Sequence, residues 1–524
     1  MGDNAVLLSH RREPIKSSVV EISKSKRRHH AVSVSKERRD LIMRAKRFCG
    51  ACVDSSIVSS PSADVNSDWE MEHEEVISTF NDQLCTAVKE LKSAVSIQDK
   101  GFGQNRLVAL RKLRRLMSRS ELNSVEVALD AGLVSLLVQC LSFGSPCDQL
   151  LEAAWCLTNI AAGKPEETRA LLPALPLLIA HLGEQSSSPV AEQCAWAIGN
   201  VAGEAEDLRK ILLCQGALLP LARMLFPNKG SAVRTAAWAL SNLIKGPDPK
   251  AAMELVKVEG ILDAIYWHLK KDDVELVTEV AWVVAYLTAL SNSACTLLAK
   301  SDVFHLLVNH LATSDCPQLL IPVLRSVGNI IACESEKSSS LLQAPHGING
   351  ILVDVLVKCL KNENRVLKKE ATWALSNIAA GTSESKHAIY KSEALPLLLN
   401  LFATAHFDIR KEVAYVLGNL CVSLLDHNAK PALNIEYLVT VVRRGCLTGF
   451  VHLVKSADIE AAKSGLQFFE LVLRGMPNGE GARLVEDAGG LDAMERFQFH
   501  ENEELRMMAS CLTDMYFGDN CWTL

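Results

Sequence analysis

Apolar residues along this chain recur three and four positions apart, the spacing that lines one face of an α-helix, and almost no stretch alternates apolar and polar as a half-buried strand does. The pattern is also periodic on a longer scale. One eight-residue segment returns as Glu152-Ala-Ala-Trp155-Cys-Leu-Thr-Asn159, Gln193-Cys-Ala-Trp196-Ala-Ile-Gly-Asn200, Thr235-Ala-Ala-Trp238-Ala-Leu-Ser-Asn242, Glu279-Val-Ala-Trp282-Val-Val-Ala-Tyr286, Pro322-Val-Leu-Arg325-Ser-Val-Gly-Asn329, Glu370-Ala-Thr-Trp373-Ala-Leu-Ser-Asn377 and Glu412-Val-Ala-Tyr415-Val-Leu-Gly-Asn419. Successive anchors, from Trp155 to Tyr415, stand 41, 42, 44, 43, 48 and 42 residues apart. A second element keeps step: a glycine opens an apolar run at Gly132, Gly216, Gly260, Gly350 and Gly490. One multi-helix unit per repeat follows, and a period in the low forties with no strand chemistry predicts an α-solenoid of the HEAT and armadillo class. Residues 76–517 hold about ten such units. The segments near residues 102–118 and 465–474 lack the Trp/Asn pair, as terminal units with one water-facing side should.

Trp and Asn four apart share a helical face. A lone pair of this kind reads as core tryptophan and capping asparagine. Four helices carrying both residues read differently, because repeated amides in a dry core would be stranded at roughly 1–3 kcal/mol each. The repetition therefore predicts a solvent-facing concave groove. Helices stacked about 8–10 Å apart pass about three residues of an extended peptide, which advances about 3.3–3.6 Å per residue. Amides in a row can bind peptide N–H and C=O groups regardless of side chain. Indoles between them form slots for the stems of Lys or Arg, with cation–π attraction of about 0.5–2 kcal/mol per site.

Charge points the same way. The 524 residues carry 55 Lys and Arg against 61 Asp and Glu, for a net charge of −6. Residues 1–47 hold 13 of the basic and 5 of the acidic side chains, which is +8, and leave 42 against 56, or −14, on the remainder. A basic arm precedes an acidic body, and that body is unsuited to direct nucleic-acid binding. Between them, residues 50–68 are rich in Ser, Asp and Ala and read as a flexible linker. The division is a basic arm over 1–48, a linker over 49–74 and a repeat domain over 75–524. The longest apolar stretch, from Ala170 to Leu182, holds two prolines and is too short to cross a bilayer, and the N-terminus shows no apolar signal region. The sixteen cysteines follow no framework spacing, as buried free thiols would in a reducing compartment.

Basic arm, Ser/Asp-rich linker and helices of the form Ala-Ala-Trp-x-Leu-x-Asn together resemble importin alpha, the family of adaptors for proteins bearing nuclear localisation signals. The resemblance spans nearly the whole chain. It implies an all-α, right-handed superhelical solenoid of about ten armadillo repeats, two cargo-signal sites, and no enzymatic activity or cofactor. The major site would comprise Trp155, Asn159, Gly163, Thr168, Trp196, Asn200, Glu204, Trp238 and Asn242, with Glu204 standing where the family normally has Asp and pairing with a signal lysine. The minor site would comprise Arg325, Asn329, Trp373, Asn377, Glu412 and Asn419, with Tyr415 in place of an expected Trp. The arm resembles the segment that importin beta grips, through Arg27, Arg28, Arg38, Arg39, Arg44, Lys46 and Arg47. It also offers Lys26-Arg27-Arg28 and Lys46-Arg47 as mimics of a cargo signal that could fold back onto the groove. The segment around Gly490 to Tyr516 resembles the tenth repeat, used by the family's export receptor; the family's usual acidic tail is missing. The implied location is cytoplasm and nucleus, with shuttling through the nuclear pore and no membrane partner.

Other signals are weaker. Cys49-Gly-Ala-Cys52 lacks the βαβ setting or second ligand pair that redox or zinc chemistry needs. Gly101-Phe-Gly has no third glycine for a phosphate loop, and the histidines have no metal spacing. An armadillo scaffold of the catenin type would take acidic partners in a basic groove, and an RNA-binding repeat would need a basic concave face. The acidic body opposes both.

Overall fold

The structure, a computed structural model, describes residues 68–96, 103–118, 125–226, 230, 232–246, 248–333, 348–422 and 433–518. The basic arm, residues 49–67 of the linker, Cys49, Cys52 and Gly101 lie outside the described residues. The first described helix, Asp68–Ser96, starts inside the segment read as linker.

Ten long helices recur at the predicted period. We label them α1 (Gly103–Met117), α2 (Cys147–Ala161), α3 (Ser188–Glu204), α4 (Ala232–Ile244), α5 (Val274–Leu290), α6 (Pro317–Cys333), α7 (Arg365–Ala379), α8 (Phe407–Leu420), α9 (Ile459–Gly475) and α10 (Glu503–Phe517). Shorter helices come between them. Gly132, Gly216, Gly260 and Gly489 turn into the middle helix of their repeats at φ between 78° and 82°, a region that side chains with a Cβ avoid. Several long helices start on a side-chain cap: Asp273, Asn364, Asp458 and Asn502 each accept the backbone N–H three residues on, at 2.9–3.0 Å. Such a cap contributes about 1 kcal/mol.

The described residues form two compact units, 68–294 and 295–518. In the first, α1 to α5 pack each against the next; in the second, α6 to α10 do the same. Alanine, leucine and valine fill the seams: Ala153, Ala154, Cys156, Leu157 and Ile160 of α2 are fully buried, as are Ala195, Ala197, Ile198 and Val201 of α3. Small residues on facing helices let the axes approach, which is why Ala-Ala precedes Trp155 and Trp238. The middle helices are joined by two buried histidines. His181 Nε2 lies 2.6 Å from the Leu141 carbonyl, and His268 Nε2 lies 2.6 Å from the Leu225 carbonyl, each in the preceding repeat. Among the described residues there is no β-strand beyond an isolated Val422–Leu433 bridge, and no single helix is long and apolar enough to cross a membrane. The all-α armadillo-repeat reading stands.

Candidate functional site

Each Trp/Asn pair lies on a long helix, and the pairs form a row within each unit because those helices pack in sequence. Asparagine makes the same bond at each step. Asn200 Nδ2 donates to the Thr158 carbonyl at 3.4 Å, Asn242 Nδ2 to Gly199 at 3.1 Å, Asn377 Nδ2 to Gly328 at 3.0 Å and Asn419 Nδ2 to Ser376 at 3.1 Å. The acceptor is always the residue just before the Asn position of the preceding long helix. Asn159, at the start of the row, donates to Ser118 Oγ at 3.1 Å and to the Arg114 carbonyl at 3.4 Å.

This corrects one premise of the groove argument. The amides are not stranded away from water, because the neighbouring helix supplies a carbonyl to each, so solvent exposure is not needed to satisfy them. Asn200, Asn242 and Asn419 are buried, while Asn159, Asn329 and Asn377 are half-buried. Trp155 and Trp196 are half-buried; Trp238 and Trp373 are buried. Trp238 lies over Gly199 and Trp373 over Gly328, so closely that a Cβ at either glycine would come within 2.3 Å and 2.1 Å of the indole. An asparagine amide has two N–H donors and a carbonyl oxygen, and the seam bond uses one of the donors; at Asn242 the oxygen is engaged too, accepting from Lys245 Nζ at 3.2 Å. For Asn200 the acceptor is explicit: Oδ1 is buried with no hydrogen-bond partner among the described residues.

The remaining major-site residues sit around the same row. Thr168 is buried, and its Oγ1 donates to the carbonyls of Ala161, at the end of α2, and Lys164, at 3.3 and 3.2 Å. Gly163 precedes it in a tight turn where Glu167 Oε2 accepts the Lys164 N–H at 2.9 Å; a Cβ at Gly163 would overlap that carboxylate. Both residues thus organise the loop, whatever else they touch. Glu204 ends α3 and is half-buried. In α5 the indole of Trp282 stacks on Tyr286, with ring centroids 5.8 Å apart, so the row breaks there as the sequence indicates. In the second unit, Arg325 of α6 donates through Nη2 and Nε to Glu370 Oε1 of α7 at 2.8 and 3.1 Å, both side chains nearly buried. Glu412 of α8 faces Tyr415, whose hydroxyl is held well above the ordinary tyrosine range by burial and then by Glu412, Glu460 and Asp458.

A further feature repeats in register with the aromatic positions. A glutamate stands three residues before the aromatic position at Glu152, Glu279, Glu370 and Glu412, one helical turn away on the same face. Of these, only Glu412 belongs to the sites that the family resemblance implies. Glu152, Glu279 and Glu370 are buried, and two of them are already matched by arginines, Glu152 by Arg114 and Arg111 and Glu370 by Arg325. Among the described residues no group of His, Cys, Asp and Glu is arranged to hold a metal ion.

Comparison with known proteins agrees with this architecture. Residues 123–162, 352–380 and 382–422 match the armadillo/beta-catenin-like repeat, and residues 148–201 match a HEAT-like repeat. The crystal structure of an engineered protein covers 81 % of this chain and 97 % of its own, with a TM-score of 0.68 at 25 % identity. Importin subunit alpha-9 of Arabidopsis thaliana is 61 % identical over 98 % of both chains, and importin subunit alpha-2 of Oryza sativa subsp. japonica is 55 % identical over 98 % of this chain and 96 % of its own. With relatives this similar along almost the full length, on an armadillo scaffold carrying the Trp/Asn row, the chain belongs to the importin alpha family.

Proposed function

We propose that this protein is a nuclear-import adaptor that binds the Lys/Arg-rich localisation signals of cargo along its Trp/Asn row and couples that cargo to importin beta through the basic arm at residues 1–48. Its membership of the importin alpha family supports the adaptor role. The observation that carries the site is the seam hydrogen bond of each asparagine. It fixes each amide before a ligand arrives, and Asn159 and Asn377 keep part of their surface exposed for a peptide backbone. The indoles flank the stems of cationic side chains, and Glu204 in the major site and Glu412 in the minor site meet their charges.

In this reading Trp155, Asn159, Gly163, Thr168, Trp196, Asn200, Glu204, Trp238 and Asn242 form the major site. Arg325, Asn329, Trp373, Asn377, Glu412 and Asn419 form the minor site, where Tyr415 offers a smaller aromatic face than an indole. The arm competes for the major site and is withdrawn by importin beta, so that carrier and cargo binding favour each other by linkage. The protein then shuttles between cytoplasm and nucleus and leaves through an export receptor at the last repeat.

The test is a titration of a fluorescent Lys/Arg-rich signal peptide against the full chain and the Trp196→Ala/Asn200→Ala variant, with circular dichroism to verify folding. Binding should fall at least tenfold in the folded variant. Unchanged affinity would remove the groove. A parallel pull-down with importin beta separates a transport adaptor, which is retained only with residues 1–48 present, from a scaffold that binds basic segments but not the carrier.

A further inference from the structure

The two ends of the major-site row are not alike. At the α1 end, the first indole already has a cation on it. The Arg114 guanidinium carbon stands 4.5 Å from the Trp155 ring centroid. The same guanidinium donates through Nε to Glu152 Oε2 at 2.5 Å, and Arg111 Nε lies 3.4 Å from the other carboxylate oxygen. The paired amide is occupied as well: Asn159 Nδ2 donates to Ser118 Oγ and to the Arg114 carbonyl, and Ser118 Oγ itself donates to that carbonyl at 2.8 Å.

The register explains the arrangement. Arg114 on α1 and Ser118 just past its end are four apart, as Trp155 and Asn159 are on α2, and they fill the corresponding places. Arginine stands where later helices carry an indole, and it pairs with the glutamate one turn before the next helix's tryptophan. This happens a second time in the chain. Arg325, four residues before Asn329 on α6, pairs with Glu370, three residues before Trp373 on α7. Each run of Trp/Asn helices is therefore preceded by an arginine in the aromatic position, joined to the first acidic residue of the run.

We infer that Arg114 is a built-in occupant that closes the cation slot on the α1-facing side of Trp155 and so sets where the major site ends. The inference rests on the groove reading above and goes beyond it, by assigning a specificity-determining role to a residue outside the Trp/Asn pairs. An aromatic face with a carboxylate one turn away is the chemistry that takes a lysine or arginine side chain; here the protein's own arginine takes it. A ligand is then read from the α3-facing side of Trp155 onward, and a further basic residue reaching past Trp155 has no slot to enter.

Arg114→Gln removes the cation while keeping a polar side chain against Glu152. The probes are one core Lys/Arg peptide that binds the full chain, the same peptide with one extra Lys at either end, and matched controls with Gln in place of that Lys. Wild-type protein should bind the extended peptides no better than their Gln controls. Arg114→Gln should gain about 2- to 20-fold for one of the Lys extensions, the range that a single cation–π slot supplies. Taking the ratio of two peptides cancels competition from the basic arm. Adding Trp155→Ala to Arg114→Gln should abolish the gain, and Arg114→Lys, which keeps a cation in the slot, should behave as wild type. A folded Arg114→Gln protein with equal affinity for the Lys and Gln extensions overturns the inference, as does a gain that survives Trp155→Ala. Should Arg114→Gln fail to fold, Arg114→Ala carries the comparison, because Glu152 keeps Arg111 as a partner and the carboxylate of the slot is retained. If the core peptide binds and depends on Trp196 while no Lys extension is ever favoured, only this inference fails. If the core peptide does not bind at all, the groove reading fails and takes the inference with it.

Discussion

Gly328 and Gly418 occupy the same place in their repeats, immediately before Asn329 and Asn419, yet they face different neighbours. A Cβ on Gly328 would lie 2.1 Å from Cζ3 of Trp373 and 2.6 Å from Cη2. A Cβ on Gly418 would meet nothing within 4 Å, because α9 carries no tryptophan to lean over it. Both glycines lie inside helices of the same unit, so Gly→Ala offers each the same helix-propensity gain, about 0.8–1 kcal/mol. At Gly418 that gain is uncompensated, and Gly418→Ala should stabilise by about 1 kcal/mol. At Gly328 the methyl must push a buried indole, an overpacking cost of about 1–3 kcal/mol, so Gly328→Ala should come out between neutral and about 2 kcal/mol destabilised. The two variants should therefore differ by about 1–3 kcal/mol, or roughly 2–12 °C in melting temperature for a unit of this size. Thermal unfolding followed by far-ultraviolet circular dichroism reads the difference, and a shift in indole fluorescence should accompany Gly328→Ala alone. If the two alanine variants melt together above wild type, the indole-on-glycine packing is wrong.

Two more outcomes follow from buried polar groups. Asn419→Ala, which deletes the donor to the Ser376 carbonyl, should cost about 1–3 kcal/mol in urea unfolding; Asn419→Asp should cost more near neutral pH and recover as acid restores a proton to donate. A constant penalty for the aspartate across that titration would contradict the seam bond. Burial holds His268 below its ordinary 6.5, with the neighbouring Lys271 adding to it and the Leu225 carbonyl opposing. The folded state then binds the proton more weakly than the unfolded chain, so this residue's contribution is fully present above about pH 6.5 and is lost as pH falls through the depressed folded value. His268→Gln should flatten that limb of the stability–pH curve measured by denaturant midpoints, and an unchanged slope would contradict the burial argument.

The long helices, their period and the break at Trp282/Tyr286 were legible in the residues because side-chain identity repeats there. What the asparagines bond to was not. Their acceptors are backbone carbonyls of Thr158, Gly199, Gly328 and Ser376, and a carbonyl looks alike under every side chain, so periodicity pointed to a polar row without indicating its partner. The wet-groove argument failed at that step. Arg114 is hidden in the sequence for a related reason: α1 lacks a Trp/Asn pair, and an arginine in an aromatic position looks like an absence until the fold brings it over Trp155. His181 and His268 have no metal spacing; their work is structural and spans 40 and 43 residues of sequence. The start of the first helix at Asp68 was hidden by a stretch poor in large apolar residues.

The asparagine bonds between neighbouring long helices carry a consequence for how such an array can change over time. Because the amides of Asn200, Asn242, Asn377 and Asn419 take their bearing from the backbone of the preceding copy, spacing there is a local agreement between two adjacent modules and owes nothing to the far end of the chain. A whole module could be duplicated or excised, and the new neighbours would fall into the same pitch, provided an amide met a carbonyl across the fresh boundary. Length would then be free to drift while pitch stayed put, so the reading frame offered to a stretched ligand would outlast changes in how many residues of it are read.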